Sequence, residues 1–278
     1  MRIDAHQHFW KLADRVGQWP PATLAAIHRD FGPADLQAAL AAARITGTVL
    51  VQSLPTVADT QYLLDTAGRT DFVLGVVGWV DLLADDAPAQ IAELARHRKL
   101  KGLRPMLHDL PDTEWITNPA LDPAFRAMQD HALVFDALVL PRHLGALLAM
   151  ARRHPALPVV IDHAAKPEIA HGRLEPWRTE MSSLAALPQV HCKLSGLLTE
   201  AGTQPTAHAL GPYLEHLLDS FGPRRLIWGS DWPVLGLAAD YADWWTMANA
   251  MCKAHAGMDA EGMAAIFGGN ARRLYQLD

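Results

Sequence analysis

The chain has 278 residues, a mass of 30.4 kDa and a formal net charge of −6. Half its residues are hydrophobic and 19% are charged, with no basic block, so the composition suits one large domain (residues 1–278) and argues against nucleic acid or an anionic membrane as the main partner. Cys192 and Cys252 are the only cysteines and stand outside any C-x-x-C; with no charged-then-apolar leader and no apolar run near the ~20 residues that cross a bilayer, a reducing cytoplasm is expected.

The first strand-like run, 2–6, leads into Asp4-Ala5-His6-Gln7-His8. Residues two apart on a strand point the same way, so His6 and His8 are expected to face one centre. Asp4 is expected on the same face, deeper in the barrel, tying polar groups together. A long connection over 9–33 follows, with Trp10, Trp19 and Pro20-Pro21, and reads as a wall over a strand end. Leu36, Leu40 and Ala43 then recur at helical spacing, with Asp35 expected to cap that helix. Further strands are expected at 47–53, 72–80 and 100–104, ending near Gln52-Ser53, near Trp79 and Asp81, and in Arg104. The connection over 105–121 carries His108, Pro111, Trp115 and Pro119, and Asp122-Pro123 opens a helix. A fifth strand, 133–138, contains Asp136; Leu144, Leu147, Leu148 and Ala151 then mark a helix stopped by Pro155 and Pro158. The last three strands, 158–162, 190–195 and 225–229, bring Asp162-His163, Lys193 and Ser195, and Trp228-Gly229-Ser230-Asp231-Trp232-Pro233. Gly268-Gly269-Asn270, near the C-terminus, reads as a turn.

Eight apolar runs separated by helices favour a single (β/α)8 barrel, and no G-x-G-x-x-G follows any strand to suggest a dinucleotide-binding sheet. Barrel sites lie at the C-terminal ends of strands, and these runs end selectively in polar groups. Alone, His163 reads as a satisfied polar residue and Asp231 as a helix cap. Together with His6 and His8 they place three imidazoles and a carboxylate at one mouth, a constellation suited to acid/base or metal chemistry. A serine nucleophile is set aside, because no G-x-S-x-G occurs.

The chain resembles the amidohydrolase superfamily, through His6-x-His8 on strand one, His163 on strand six and Asp231 on strand eight. It is similar to the sugar-lactonase branch in Asp4–Trp10, Lys101-Gly102-Leu103-Arg104-Pro105, Asp162–Pro167, Cys192–Leu197, Gly229–Pro233 and Asn270–Tyr275. The resemblance implies hydrolysis of an aldonolactone such as L-fucono- or L-rhamnonolactone. It departs from two-metal members of the superfamily: Arg104 stands where a carboxylated Lys or a Glu would, and a guanidinium repels a second divalent ion. One divalent ion, Zn2+ first, on His6, His8 and Asp231 with His163 as a further ligand, remains compatible. The resemblance also implies that the metal is dispensable in some members.

Hydrolysis then needs Asp231 as general base, with Arg104 and His163 or a bound metal stabilising charge on the carbonyl oxygen. A raised pKa would suit Asp231 to that role near neutral pH. Gln52, Trp79, His108, Lys166 and Trp232 are the expected binders of a polyhydroxylated ring. Asp162 reads as a supporting group or a cap, and Lys193 as the partner of a buried carboxylate. Two rivals share the scaffold: a decarboxylase or hydratase of an aromatic or dicarboxylic acid, or a lactonase for an anionic lactone. A third reading, a non-catalytic sugar-acid binder, is disfavoured by the intact His6, His8, His163 and Asp231.

Overall fold

In the computed structural model, which describes residues 1–202 and 205–278, all eight expected runs form strands. These are β1 (Ile3–Gln7), β2 (Gly47–Val51), β3 (Val73–Gly78), β4 (Leu100–Leu103), β5 (Val134–Ala137), β6 (Val159–Ile161), β7 (Val190–Leu194) and β8 (Leu226–Trp228). Each pairs in parallel with the next, in the order of the chain. A parallel bridge between Gln7 and Trp232 draws β1 and β8 together. Two backbone bonds of 2.8 Å sew that seam, from His8 N to the Trp232 carbonyl and from Asp231 N to the His6 carbonyl. The (β/α)8 barrel thus closes through the segments that carry the first histidines and the strand-eight aspartate.

Around the strands run α1 (Pro33–Ala43), α2 (Val57–Gly68), α3 (Ala87–Leu94), α4 (Asp122–Asp130), α5 (Leu144–Arg153) and α6 (Trp177–Ala185). They continue with α7 (Leu197–Glu200), α8 (Ala207–Phe221), α9 (Tyr241–Ala254), α10 (Ala260–Ala264) and α11 (Asn270–Leu274). Helix α1 starts at Pro33 and buries Leu36, Leu40 and Ala43. Asp35, expected ahead of it, lies in its first turn and accepts from Gly32 N at 2.9 Å. Helix α5 buries Leu144, Leu147 and Ala151 and stops before Pro155, as the spacing predicts. None of the described helices is long and apolar enough to cross a membrane.

Two apolar layers result. Leu50, Val76, Phe135, Ile161 and Trp228 face the helices, whereas Val49, Val51, Val77, Val134, Val160 and Ile227 fill the barrel with Ile3 and Ala5. Ala271, Tyr275 and Leu277 complete the inner cluster. The Gly268-Gly269-Asn270 stretch is not a plain turn. It ends a widened helical turn (Ala265–Gly269) between α10 and α11, where a Cβ on Gly268 would lie 2.5 Å from the Met1 carbonyl oxygen. That close approach sets the C-terminal segment against the start of β1, opposite the mouth.

Candidate active site

Three strand ends, those of β1, β6 and β8, converge on one carboxylate oxygen. Asp231 Oδ1 lies 3.2 Å from His8 Nε2, 3.7 Å from His6 Nε2 and 3.9 Å from His163 Nε2. The two β1 imidazoles face one centre, as the two-residue period predicts, with ring centroids 5.0 Å apart. Asp4 does not share their face. The pairing of β1 with β2 shifts register between Asp4 and Gln7, so the alternation breaks there. Asp4 instead accepts from Ser230 N at 2.8 Å, His6 N at 3.2 Å and the Tyr241 hydroxyl of α9 at 3.0 Å. It fastens the β1–β8 seam to the helix layer, and burial pushes its carboxyl up to about 6.

The backbone is strained where it aims the site. His163, Ala164, Ala165 and Lys166 all have left-handed φ (52°, 50°, 61° and 50°), as does Asp231 (60°). Such residues cost about 1–2 kcal/mol each, so the surrounding packing must hold them. The missing side chain of Gly196, itself at φ 63°, makes room for His163: a Cβ there would lie 2.6 Å from Nδ1. Ser195 Oγ sits 2.9 Å from the same Nδ1, behind the ring and fully buried, where it orients the imidazole. Gly229 admits His6 in the same way, a Cβ there standing 2.6 Å from His6 Cβ.

Beneath the histidines lies a fully buried charge network. His6 Nδ1 is 3.2 Å from Lys193 Nζ and 3.4 Å from Asp162 Oδ1, and its Nε2 is 3.3 Å from Arg104 Nη1. Lys193 also meets Asp136 at 2.5 Å and Asp162 at 3.0 Å, and Arg104 meets Asp162 at 3.2 Å. Asp162 is therefore the hub joining β4, β6 and β7 rather than a cap. Burial raises its pKa, but Lys193, His6 and Arg104 outweigh that and hold it well below the carboxylate range. Burial holds His6 and His163 neutral, well below the usual imidazole value. For Asp231 burial also works upward, yet His163, His8 and Lys166 bring it below the ordinary range. The raised pKa that would suit a general base is absent; Asp231 is ionised instead.

A cavity of about 540 Å³ opens above this centre. His8, Arg104, His163 and Asp231 form its polar floor, and Trp19, Ser53, Leu54, Met106, Leu138 and Leu237 contribute to its walls. Two of the five expected ring binders, His108 and Lys166, line it. Gln52, Trp79 and Trp232 do not. Gln52 is fully buried and braces Arg104: its Nε2 donates to the Arg104 carbonyl at 2.6 Å and its own carbonyl accepts from Arg104 Nη2. Trp79 is held by its backbone, donating from N to Thr60 Oγ1 at 2.7 Å. Trp232 packs edge-on to Phe9 and Phe31, supporting the 9–33 connection. The wall tryptophan is Trp19, on that same connection, with Trp10 packed edge-on behind it at 5.1 Å.

The donor set fits one divalent ion. One ligand atom each from His6, His163 and Asp231 lies within 4.8 Å of the others, and both imidazoles are neutral. His8, expected among the ligands, falls outside that trio but faces the same carboxylate. Its Nδ1 is 2.8 Å from the Val51 carbonyl, which only accepts, so Nδ1 carries a hydrogen and Nε2 turns toward Asp231 Oδ1. Two acceptors face to face call for a shared proton or a cation between them. Against a second ion stands Arg104, whose guanidinium Nη1 already lies 3.3 Å from His6 Nε2, the same nitrogen that faces Asp231.

The family profile described as Amidohydrolase matches residues 3–277. An L-fucono-1,5-lactonase from Burkholderia ambifaria is 59% identical, over the whole of this chain and 96% of its own length. A second L-fucono-1,5-lactonase, from Burkholderia multivorans, is 36% identical with the same coverage. Among solved structures, an amidohydrolase from Burkholderia multivorans with bound zinc superposes with a TM-score of 0.93 at 35% identity, both chains covered in full.

Proposed function

The chain belongs to the amidohydrolase family, and we propose that it hydrolyses a sugar lactone, L-fucono-1,5-lactone, at the cavity floored by Asp231. The observation that carries this reading is the convergence of His6, His8 and His163 on Asp231 Oδ1, beside Arg104, under a cavity large enough for a sugar ring. The two lactonase relatives, matched along the whole chain, supply the substrate class.

Asp231 accepts a proton as water attacks the lactone carbonyl, and His8 Nε2, 3.2 Å away, shares it. Arg104 and His163, both on the cavity floor, stabilise the charge that grows on the carbonyl oxygen. Arg104 retains one buried N–H, Nε, that no described protein group accepts. The tetrahedral intermediate then expels the ring oxygen, which takes the proton back from the Asp231–His8 pair, leaving a hydroxy acid. His108 and Lys166 bind ring hydroxyls from the wall. His6, His163 and Asp231 would hold a divalent ion, Zn2+ in this proposal, which when bound would supply Lewis-acid polarisation of the carbonyl and a more acidic water. We place this chemistry in the cytoplasm, where the buried, unpaired Cys192 and Cys252 stay reduced.

The test is a lactone panel read by pH indicator: L-fucono-1,5-lactone, L-rhamnonolactone, an anionic lactone and a β-resorcylate-type acid, each before and after chelation and Zn2+ addition. Preferential turnover of L-fucono-1,5-lactone is expected. Absence of lactone turnover under every metal condition contradicts the reading.

A further inference from the structure

Arg15 lies outside the catalytic centre, in the short helical turn Leu12–Arg15 of the connection after β1, and is only 3% exposed. Its guanidinium spans two chain segments that no strand pairing joins. Nη1 donates to Ser53 Oγ at 3.0 Å and to the Trp19 carbonyl at 3.3 Å, and Nη2 reaches Asp59 Oδ1 at 3.2 Å. Asp59, in the first turn of α2, accepts with Oδ2 from Ser53 N at 3.0 Å and Leu54 N at 3.1 Å. Trp19, Ser53 and Leu54 are all cavity walls. One ion pair therefore pins the wall that follows β1 to the wall that follows β2.

Stability alone does not account for this pair. Buried ion pairs commonly return no more than their desolvation costs, and Arg15 Nε is buried with no acceptor. What the pair does supply is a fixed distance between an indole, a hydroxyl and an aliphatic side chain on one side of the cavity. Neither Arg15 nor Asp59 makes a hydrogen bond or ion pair with His6, His163 or Asp231.

We propose that Arg15, anchored by Asp59, is a positioning residue that sets the width of the substrate cavity and so selects lactones by their ring substituents. The proposal rests on the lactonase reading, and it assigns the pair to substrate grip rather than to the chemical step.

The experiment compares wild type with Arg15→Met, Arg15→Lys and Asp59→Asn on L-fucono-1,5-lactone and on δ-valerolactone, which lacks ring hydroxyls and methyl. In Arg15→Met the KM for the sugar lactone should rise about tenfold as the two walls lose their fixed spacing, with kcat within about twofold. The kcat/KM for δ-valerolactone should hold within about twofold, and Arg15→Lys should recover part of the KM. Unchanged kinetics, or a parallel fall of kcat on both lactones, overturns the proposal. If Arg15→Met fails to fold, the same readings are taken from Arg15→Lys and Asp59→Asn. Acrylamide quenching of Trp19, isolated by difference against Trp19→Phe, is measured in parallel: it should increase in the Arg15 variants. If wild type turns over no lactone, the lactonase reading falls by itself, and unchanged Trp19 quenching then overturns the proposal independently.

Discussion

In the proposed hydrolysis Asp231 acts through placement rather than through basicity. Three imidazole nitrogens within 3.9 Å of one oxygen, and a left-handed backbone at the residue itself, hold an ionised carboxylate at the cavity floor, where the proposed reaction needs a base. The same logic makes Gly196 a sensitive position. Gly196→Ala forces a methyl against His163 Nδ1, at 2.6 Å, in a backbone region that alanine disfavours. We expect kcat to fall by about 10²-fold or more, the usual scale for misplacing a catalytic group, with the far-UV circular dichroism retained; steady-state kinetics check it, and wild-type kcat would contradict the geometry. That His6, His8, Arg104, His163 and Asp231 gather at one mouth was legible in the sequence, because each ends a recognisable strand. The binders were less so. Gln52, Trp79 and Trp232 also stand at strand ends, but whether such a side chain enters the cavity or braces a neighbour depends on three-dimensional packing that spacing does not encode. Arg15 and Asp59 gave no signal, since a buried pair 44 residues apart looks like two surface charges.

At the scale of elements, the eight strands were legible because each is a short apolar run buried on both faces, and the parallel order follows from their alternation with helices. The register shift in β1 was not legible, and it is what turns Asp4 away from His6. The polar layer that ties β4 through β7 to β1 was only half visible: Lys193 was expected to pair with one buried carboxylate and meets two. Burial pushes Asp136 up to about 6 even beside Lys193, the one cation that meets it, whereas Asp162 meets both Lys193 and Arg104. Lys193→Met leaves Asp136 with no cation beside it, only the Tyr275 hydroxyl at 2.8 Å, leaves Asp162 to Arg104 alone among cations, and removes a neighbour of His6. It should cost about 3–5 kcal/mol, the price of stranding a buried charge. Urea denaturation at pH 7 measures the loss; a change under ~1 kcal/mol would show that the network is not holding the strands.

For the whole molecule, acid stability carries a contribution from His191, low on β7. Burial lowers its pKa from 6.5 to about 4, so between those values the unfolded chain binds a proton that the native state refuses. Stability from this group is complete above pH 6.5 and is lost as pH falls toward 4. Urea midpoints at pH 7.5 and 5.0 should therefore fall less in His191→Leu than in wild type; equal falls would contradict the assignment. The barrel as a whole presents one mouth, floored by residues from β1, β4, β6 and β8, and the account stands or falls on Asp231 there. Its most direct test is initial-rate hydrolysis of L-fucono-1,5-lactone by wild type and Asp231→Asn, with matched circular dichroism. The account predicts rapid turnover by the wild type and a loss of kcat of about 10³-fold in the variant. Full activity in Asp231→Asn would contradict it.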